Sequence, residues 1–138
     1  MAMAFKNASM ESTVKPTRVL LVDDHEANIL IAGTYLEKFG YAYDVAPNGL
    51  EAISKAGSGD YFAALMDIQM PTMDGIEATR HIRNAEIMND RPRLPIIAFT
   101  AHYLVADRER CMLAGMDEYL TKPFNPEHME KLLRQLAS

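Results

Sequence analysis

Five short apolar runs alternate along the chain with five segments whose apolar residues recur at helical spacing. That alternation predicts a parallel sheet covered by helices on both faces. Strands are expected at Arg18–Val22, 41–46, 62–66, 96–99 and Glu118–Thr121. In the first helix Ile29, Ala32, Leu36 and Phe39 form one apolar face, and Gly40 sits where a left-handed cap belongs. The second helix opens at Asn48 and the third at Asp74, with Glu51 and Glu77 three residues on, the pattern of a capping box. A fourth helix is expected over 103–114 with Gly115 behind it. The fifth starts at Asn125-Pro126, a cap followed by a first-turn proline, and buries Met129, Leu132, Leu133 and Leu136. The prolines and charges of 89–95 read as a loop.

The chain has 138 residues, 49% of them hydrophobic, which suits a single globular domain. We expect that domain over 17–138, behind a flexible polar tail over 1–16. The net charge of -5 leaves no basic stripe to neutralise a phosphate backbone, so direct nucleic-acid binding is not expected. A single cysteine, Cys111, excludes an internal disulfide and suits a reducing compartment. With no apolar stretch of spanning length and no signal-like segment at the start, the expected location is cytoplasmic, away from membranes.

The chemistry collects at the tips of the predicted strands. Asp23 and Asp24 end the first run, Asp67 ends the third, Thr100 follows the fourth, and Lys122-Pro123 follows the fifth. In open parallel sheets ligands bind outside the carboxyl ends of the strands, so these residues would share one crevice. Three carboxylates within about 5 Å repel by roughly 3 kcal/mol per pair at an effective dielectric near 20, and a divalent cation relieves the strain. Magnesium fits an all-oxygen site that retains water. Asp24 and Asp67 are the expected direct ligands, with Asp23 acting through water and the backbone carbonyl of Gln69 completing the set. A carboxylate accepts a phosphoryl group when the group is held in line and its charge is neutralised, roles that suit the metal, Lys122 and the Thr100 hydroxyl.

Each residue also has a plain reading. Paired acids at a strand end are commonly a cap and a solvated turn, and lone lysines and threonines are mostly surface residues. What favours the functional reading is that all fall at carboxyl ends of strands in one register. The plain reading holds for His25, His81, His102 and His128, which lack metal-ligand spacing and are expected to be solvated. Most of the ten methionines are read as core filling or ordinary surface.

The segments Val19-Leu-Leu-Val-Asp-Asp24, Leu65-Met-Asp-Ile-Gln-Met-Pro-Thr-Met-Asp-Gly75, Ile96-Ile-Ala-Phe-Thr-Ala101 and Tyr119-Leu-Thr-Lys-Pro123 resemble those of two-component response-regulator receiver domains, over 17–136. The resemblance implies a flavodoxin-like α/β fold: a doubly wound five-stranded parallel sheet of order 2-1-3-4-5 flanked by five helices. It implies a phosphorelay switch in which Asp67 is the phosphoacceptor for a phosphohistidine donor. Asp23, Asp24, Asp67 and the Gln69 carbonyl would then serve Mg2+, with Mn2+ as a substitute. Thr100 and Lys122 would contact the phosphoryl group, Lys122-Pro123 would be a cis peptide, and Thr100 and Tyr119 would form the switch. Gln69 and His102 would flank the site and tune hydrolysis. Phosphorylation would change the surface of the fourth helix, fifth strand and fifth helix. Such a domain is not an enzyme acting on external substrates, since it catalyses only its own phosphorylation and dephosphorylation.

Asp23-Asp-His-Glu-Ala-Asn28 and Cys111-Met-Leu-Ala-Gly-Met-Asp-Glu-Tyr119 are most similar to receivers attached to hybrid sensor histidine kinases. The implied partners are a sensor histidine kinase, a histidine phosphotransfer protein, or both; dimerisation on phosphorylation stays open. A flavodoxin-like nucleotide binder shares the fold, but Asp-Asp-His-Glu after the first strand repels phosphate unless a metal intervenes. An aspartate-nucleophile phosphatase typically has an acid two residues after its nucleophile, where this chain has Gln69. A pseudo-receiver would lack some member of the phosphorylation set, and none is missing.

Overall fold

The structure, a computed structural model, describes residues 16–101 and 105–138. Strand and helix alternate through β1 (Arg18–Val22), α1 (Glu26–Lys38), β2 (Ala42–Ala46), α2 (Gly49–Ser58) and β3 (Tyr61–Met66). They continue through α3 (Gly75–Met88), β4 (Ile96–Thr100), α4 (Val105–Ala114), β5 (Glu118–Thr121) and α5 (Pro126–Ala137). All strand pairs are parallel and the sheet order is β2-β1-β3-β4-β5, as the family resemblance implied. The expected start of the fourth helix at Tyr103, like the tail up to Lys15, lies outside the described residues.

The central strands are apolar on both sides because both sides are covered. Leu20, Val22, Ala64, Met66, Ile96 and Ala98 pack with residues of α2, α3 and α4, among them Ala52, Ile82 and Cys111. Val19, Leu21, Ala63, Leu65, Ile97, Phe99 and Leu120 pack with α1 and α5 through Ala32, Leu36, Met129, Leu132 and Leu133. Burial of the larger of these side chains (Val, Leu, Ile, Phe and Met), at about 1.5–3 kcal/mol each, dominates the stabilisation. One register shift, at Arg18/Val19 of β1 against β3, leaves Phe62 as an extra residue and sends both Phe62 and Ala63 to the α1/α5 face.

Helix ends follow the local sequence signals. Asn48 and Asp74 accept hydrogen bonds from the Glu51 and Glu77 backbone N–H groups at 2.9 and 2.8 Å. Asn125 caps α5 by accepting from the Glu127 and His128 N–H groups. Gly40, at φ +90°, ends α1: its N–H donates to the Glu37 carbonyl and that of Tyr41 to the Leu36 carbonyl.

Two polar clusters brace the end of the sheet away from the acidic strand tips. Arg83, on α3, donates to the carbonyls of Gly115 (2.9 Å) and Leu94 (2.8 Å) and pairs with Glu86 and Asp117. Asp117 also pairs with Arg93 and accepts the Ile96 N–H. On the edge strand Asp44 accepts from Nε and Nη2 of Arg18 and from the Tyr61 hydroxyl (2.8 Å). These hydrogen bonds, Arg18 first, hold the Asp44 carboxyl below its usual range. Burial and then the bond to Asp44 push the Tyr61 phenol up to about 12. Among the described residues no helix is long and apolar enough to cross a membrane.

Candidate functional site at the carboxyl ends of β1, β3, β4 and β5

Sheet order reverses at β1, which lies between β2 and β3, so the helices leaving β1 and β3 depart to opposite faces and leave a crevice between the loops. Ladder hydrogen bonds fix both strand tips: the Asp67 N–H donates to the Val22 carbonyl (2.9 Å) and the Asp23 N–H to that of Ala46 (3.2 Å). Asp23 is fully buried, Asp67 nearly so, and Asp24 is partly exposed. One oxygen from each, together with a ring nitrogen of His25, lies within 4.8 Å of the others.

Lys122 enters this cluster from β5. Its N–H donates to the Thr100 carbonyl (2.8 Å), and the Lys122–Pro123 peptide is cis. The ammonium lies 2.6 Å from Asp23 Oδ2, 3.4 Å from Asp67 Oδ1 and 4.8 Å from the centre of the Phe99 ring. Burial raises the pKa of Asp67; Lys122 opposes that rise, and Asp23 and Asp24 add to it. With all groups ionised, three carboxylates and one ammonium leave a charge of -2, which one divalent cation cancels. Asp24 Oδ1 is buried and accepts no hydrogen bond. A buried oxygen left without a donor is costly unless something else takes its lone pairs, and a hard cation does so, so the residues fit magnesium.

The loop after β3 is folded tightly against the site. The Gly75 N–H donates to the Ile68 carbonyl (2.8 Å), and a Cβ on Gly75 would stand 2.0 Å from the Asp67 carbonyl oxygen. Within the loop Thr72 has φ +72°, and the Met73 N–H closes a three-residue turn on the Pro71 carbonyl (2.8 Å). Gln69 is exposed and, with Ile68, Asp74, Ile76, Asp107 and Arg110, lines an open cleft of about 140 Å3. A second cleft, about 130 Å3, lies at the opposite end of the sheet between α2, α3 and the loop over 91–94, away from every carboxylate of the cluster.

Thr100 is buried at the end of β4, beside Thr121 in the ladder. Tyr119 is half-buried on β5, with the Arg108 guanidinium 5.7 Å from its ring centre. The structure thus brings Asp23, Asp24, Asp67 and Lys122 together, sets Thr100 at the same strand edge and places Gln69 on the adjoining loop. His102 lies outside the described residues. His25 is solvated as expected, its side chain 64% exposed, but Nδ1 also lies 3.0 Å from Asp24 Oδ1. No linear spacing signals this, because the contact arises from a turn between strand and helix.

Comparison with known proteins places these observations. The family model described as response regulator receiver domain matches residues 19–134. Histidine kinase 5 of Arabidopsis thaliana is 35% identical over 149 residues, covering 91% of this chain and 16% of that protein. Sensor protein GacS of Pseudomonas syringae is 38% identical over 116 residues, covering 84% and 13%. The chain therefore spans about a sixth or less of these relatives. Among solved structures, the receiver domain of sensor histidine kinase PA1611 of Pseudomonas aeruginosa, which has a magnesium ion coordinated in its active site cleft, superposes with a TM-score of 0.79. It is 38% identical, over 89% of this chain and 99% of that one. A chain in the co-crystal of the Saccharomyces cerevisiae histidine phosphotransfer protein Ypd1 with the receiver domain of its response regulator Ssk1 gives 0.83 at 33% identity, over 91% and 92%.

Proposed function

Because the chain belongs to the response regulator receiver domain family, we propose that it is a phosphoacceptor switch in which Asp67 takes a phosphoryl group from a phosphohistidine. The observation that carries this reading is the convergence of Asp23, Asp24, Asp67 and Lys122 at one crevice. One Asp67 carboxylate oxygen bonds to phosphorus as the P–N bond breaks, and the donor imidazole leaves with the bonding pair. Asp23, Asp24, Asp67 and the Gln69 backbone carbonyl would hold the divalent cation, which when bound neutralises charge on the phosphoryl oxygens. Lys122, already beside Asp67, supplies a second positive charge, and the Thr100 hydroxyl donates to a phosphoryl oxygen. Gly75 lets the backbone at Asp67 and the start of α3 meet without a clash, which fixes where the acceptor stands.

Phosphorylation would draw Thr100 toward Asp67 and let Tyr119 turn, altering the surface formed by α4, β5 and α5. The Arg108 contact on Tyr119 ties that aromatic to α4, so its rotation would be felt there. The proposed partner is a histidine phosphotransfer protein or a histidine kinase, by analogy with the Ypd1 and Ssk1 pair and with the kinases the chain resembles. On this reading the domain catalyses only its own phosphorylation and dephosphorylation.

The test is intact-protein and peptide mass spectrometry after incubation with acetyl phosphate, with and without magnesium, on wild type and Asp67→Asn. One magnesium-dependent phosphoryl adduct on Asp67, absent from the variant, is the expected result. Undiminished labelling of Asp67→Asn would overturn the assignment.

A further inference from the structure

His25 occupies the cap position of α1, where a side-chain oxygen ordinarily accepts a hydrogen bond from the first turn, and its side chain makes no such bond. The ring turns instead to the acidic cluster, with Nδ1 3.0 Å from Asp24 Oδ1 and 3.4 Å from Asp23 Oδ1. Its backbone N–H donates to Asp23 Oδ1 (3.0 Å), which holds the turn in place whatever the side chain. Adjacent ligands of an octahedral ion with bonds of about 2.1 Å stand about 3.0 Å apart. Asp24 Oδ1 and His25 Nδ1 already have that separation, and the Asp24 oxygen accepts no hydrogen bond. Opposite ligands of such an ion stand about 4.2 Å apart, so the 4.8 Å span of the four-residue cluster is close to a coordination sphere.

We propose that His25 is a metal ligand through Nδ1, giving the crevice a preference for imidazole-binding divalent ions such as cobalt, nickel or zinc over magnesium. Oxygen ligands and water suit magnesium, whereas an imidazole nitrogen adds affinity for the later first-row ions and little for magnesium. The inference rests on the metal-binding reading of the crevice. The competing account is an imidazolium paired with Asp24, and the two differ in sign. Removing a ligand weakens cobalt binding, whereas removing a cation leaves the binding of both metals unchanged or strengthens it.

The experiment is calorimetric titration of the full chain with cobalt chloride alone and magnesium chloride alone, together with the visible absorption of the cobalt form, for wild type, His25→Ala and Asp24→Asn. In His25→Ala we expect the cobalt dissociation constant to rise at least about tenfold, that for magnesium to change less than about threefold, and the cobalt bands to shift. Equal cobalt affinity and an unchanged spectrum in His25→Ala would overturn the inference and leave the ion pair, or cobalt on other histidines. If Asp24→Asn binds both metals like wild type, or wild type binds no magnesium, the metal-binding reading of the crevice itself fails. Thermal melts without metal check that His25→Ala is folded, which the exposure of the side chain favours.

Discussion

Lys122 and Asp23 stand 99 residues apart in the chain and 2.6 Å apart in the fold, with the Asp23 carboxylate buried. The contact joins the first strand end to the last. It also places the Lys122 ammonium on a carboxylate that is fully buried.

Lys122→Met keeps most of the apolar stem and removes the charge. In metal-free buffer we expect a loss of about 2 kcal/mol or more, because breaking one side of a buried pair strands the other. Magnesium should return part of that stability by binding the folded state alone. Urea midpoints with and without magnesium measure both effects, and an unchanged metal-free midpoint would contradict the pairing.

Gly75→Ala puts a methyl group 2.0 Å from the Asp67 carbonyl oxygen, and backbone must move to admit it. We expect a loss of about 1–3 kcal/mol, as for other overpacked sites. The rate of labelling by acetyl phosphate should fall more steeply than stability does, since a displacement near 1 Å at a reacting group can cost about a hundredfold. Labelling at the wild-type rate would show that the acceptor tolerates the shift.

Thr72 is a β-branched residue at φ +72°. The left-handed region costs an L-residue roughly 1–2 kcal/mol and glycine almost nothing, while glycine adds freedom to the unfolded chain. Thr72→Gly is therefore expected to raise stability by about 0.5–1 kcal/mol, read from the urea midpoint; a lower midpoint would place a favourable side-chain interaction at Thr72.

The Arg18, Asp44 and Tyr61 cluster makes a pH prediction with two arms. The folded pKa of Asp44 is depressed, so its contribution is present above the unfolded pKa and is lost as pH falls through the folded one. That of Tyr61 is raised, so its contribution is present below about 10 and lost as pH rises through about 12. Asp44→Asn should flatten the acid arm of the stability profile, and Tyr61→Phe should remove the last component of the tyrosinate absorbance titration. A phenol at position 61 that ionises with the bulk of the tyrosines would refute the second arm.

Most of the architecture was legible because buried parallel strands are short, apolar and bounded. Arg18–Val22 and Glu118–Thr121 match expectation to the residue. The second strand starts at Ala42 and not Tyr41 because the Tyr41 N–H closes the cap of α1 on Leu36. The fourth runs on through Thr100, whose ladder partner is Thr121. Asp23, Asp24, Asp67 and Lys122 were legible because strand tips of one register must meet. His25 was not, since its ring reaches Asp24 only through the geometry of a turn. The brace around Arg83 was not either: its partners Gly115 and Asp117 lie 32 and 34 residues away, and no local pattern links them.

That brace also constrains how α4 could move. Gly115 and Asp117 are bonded to Arg83 and Arg93, and the Ile96 N–H is held by Asp117, so the carboxyl end of α4 is anchored. The helix has ten residues and is roughly 15 Å long. A tilt of about 4° would therefore carry the Val105 end through about 1 Å with the Gly115 end held in place. In mechanical terms a helix held in this way would act as a lever mounted at its far end, with its long arm ending on the crevice side of the sheet.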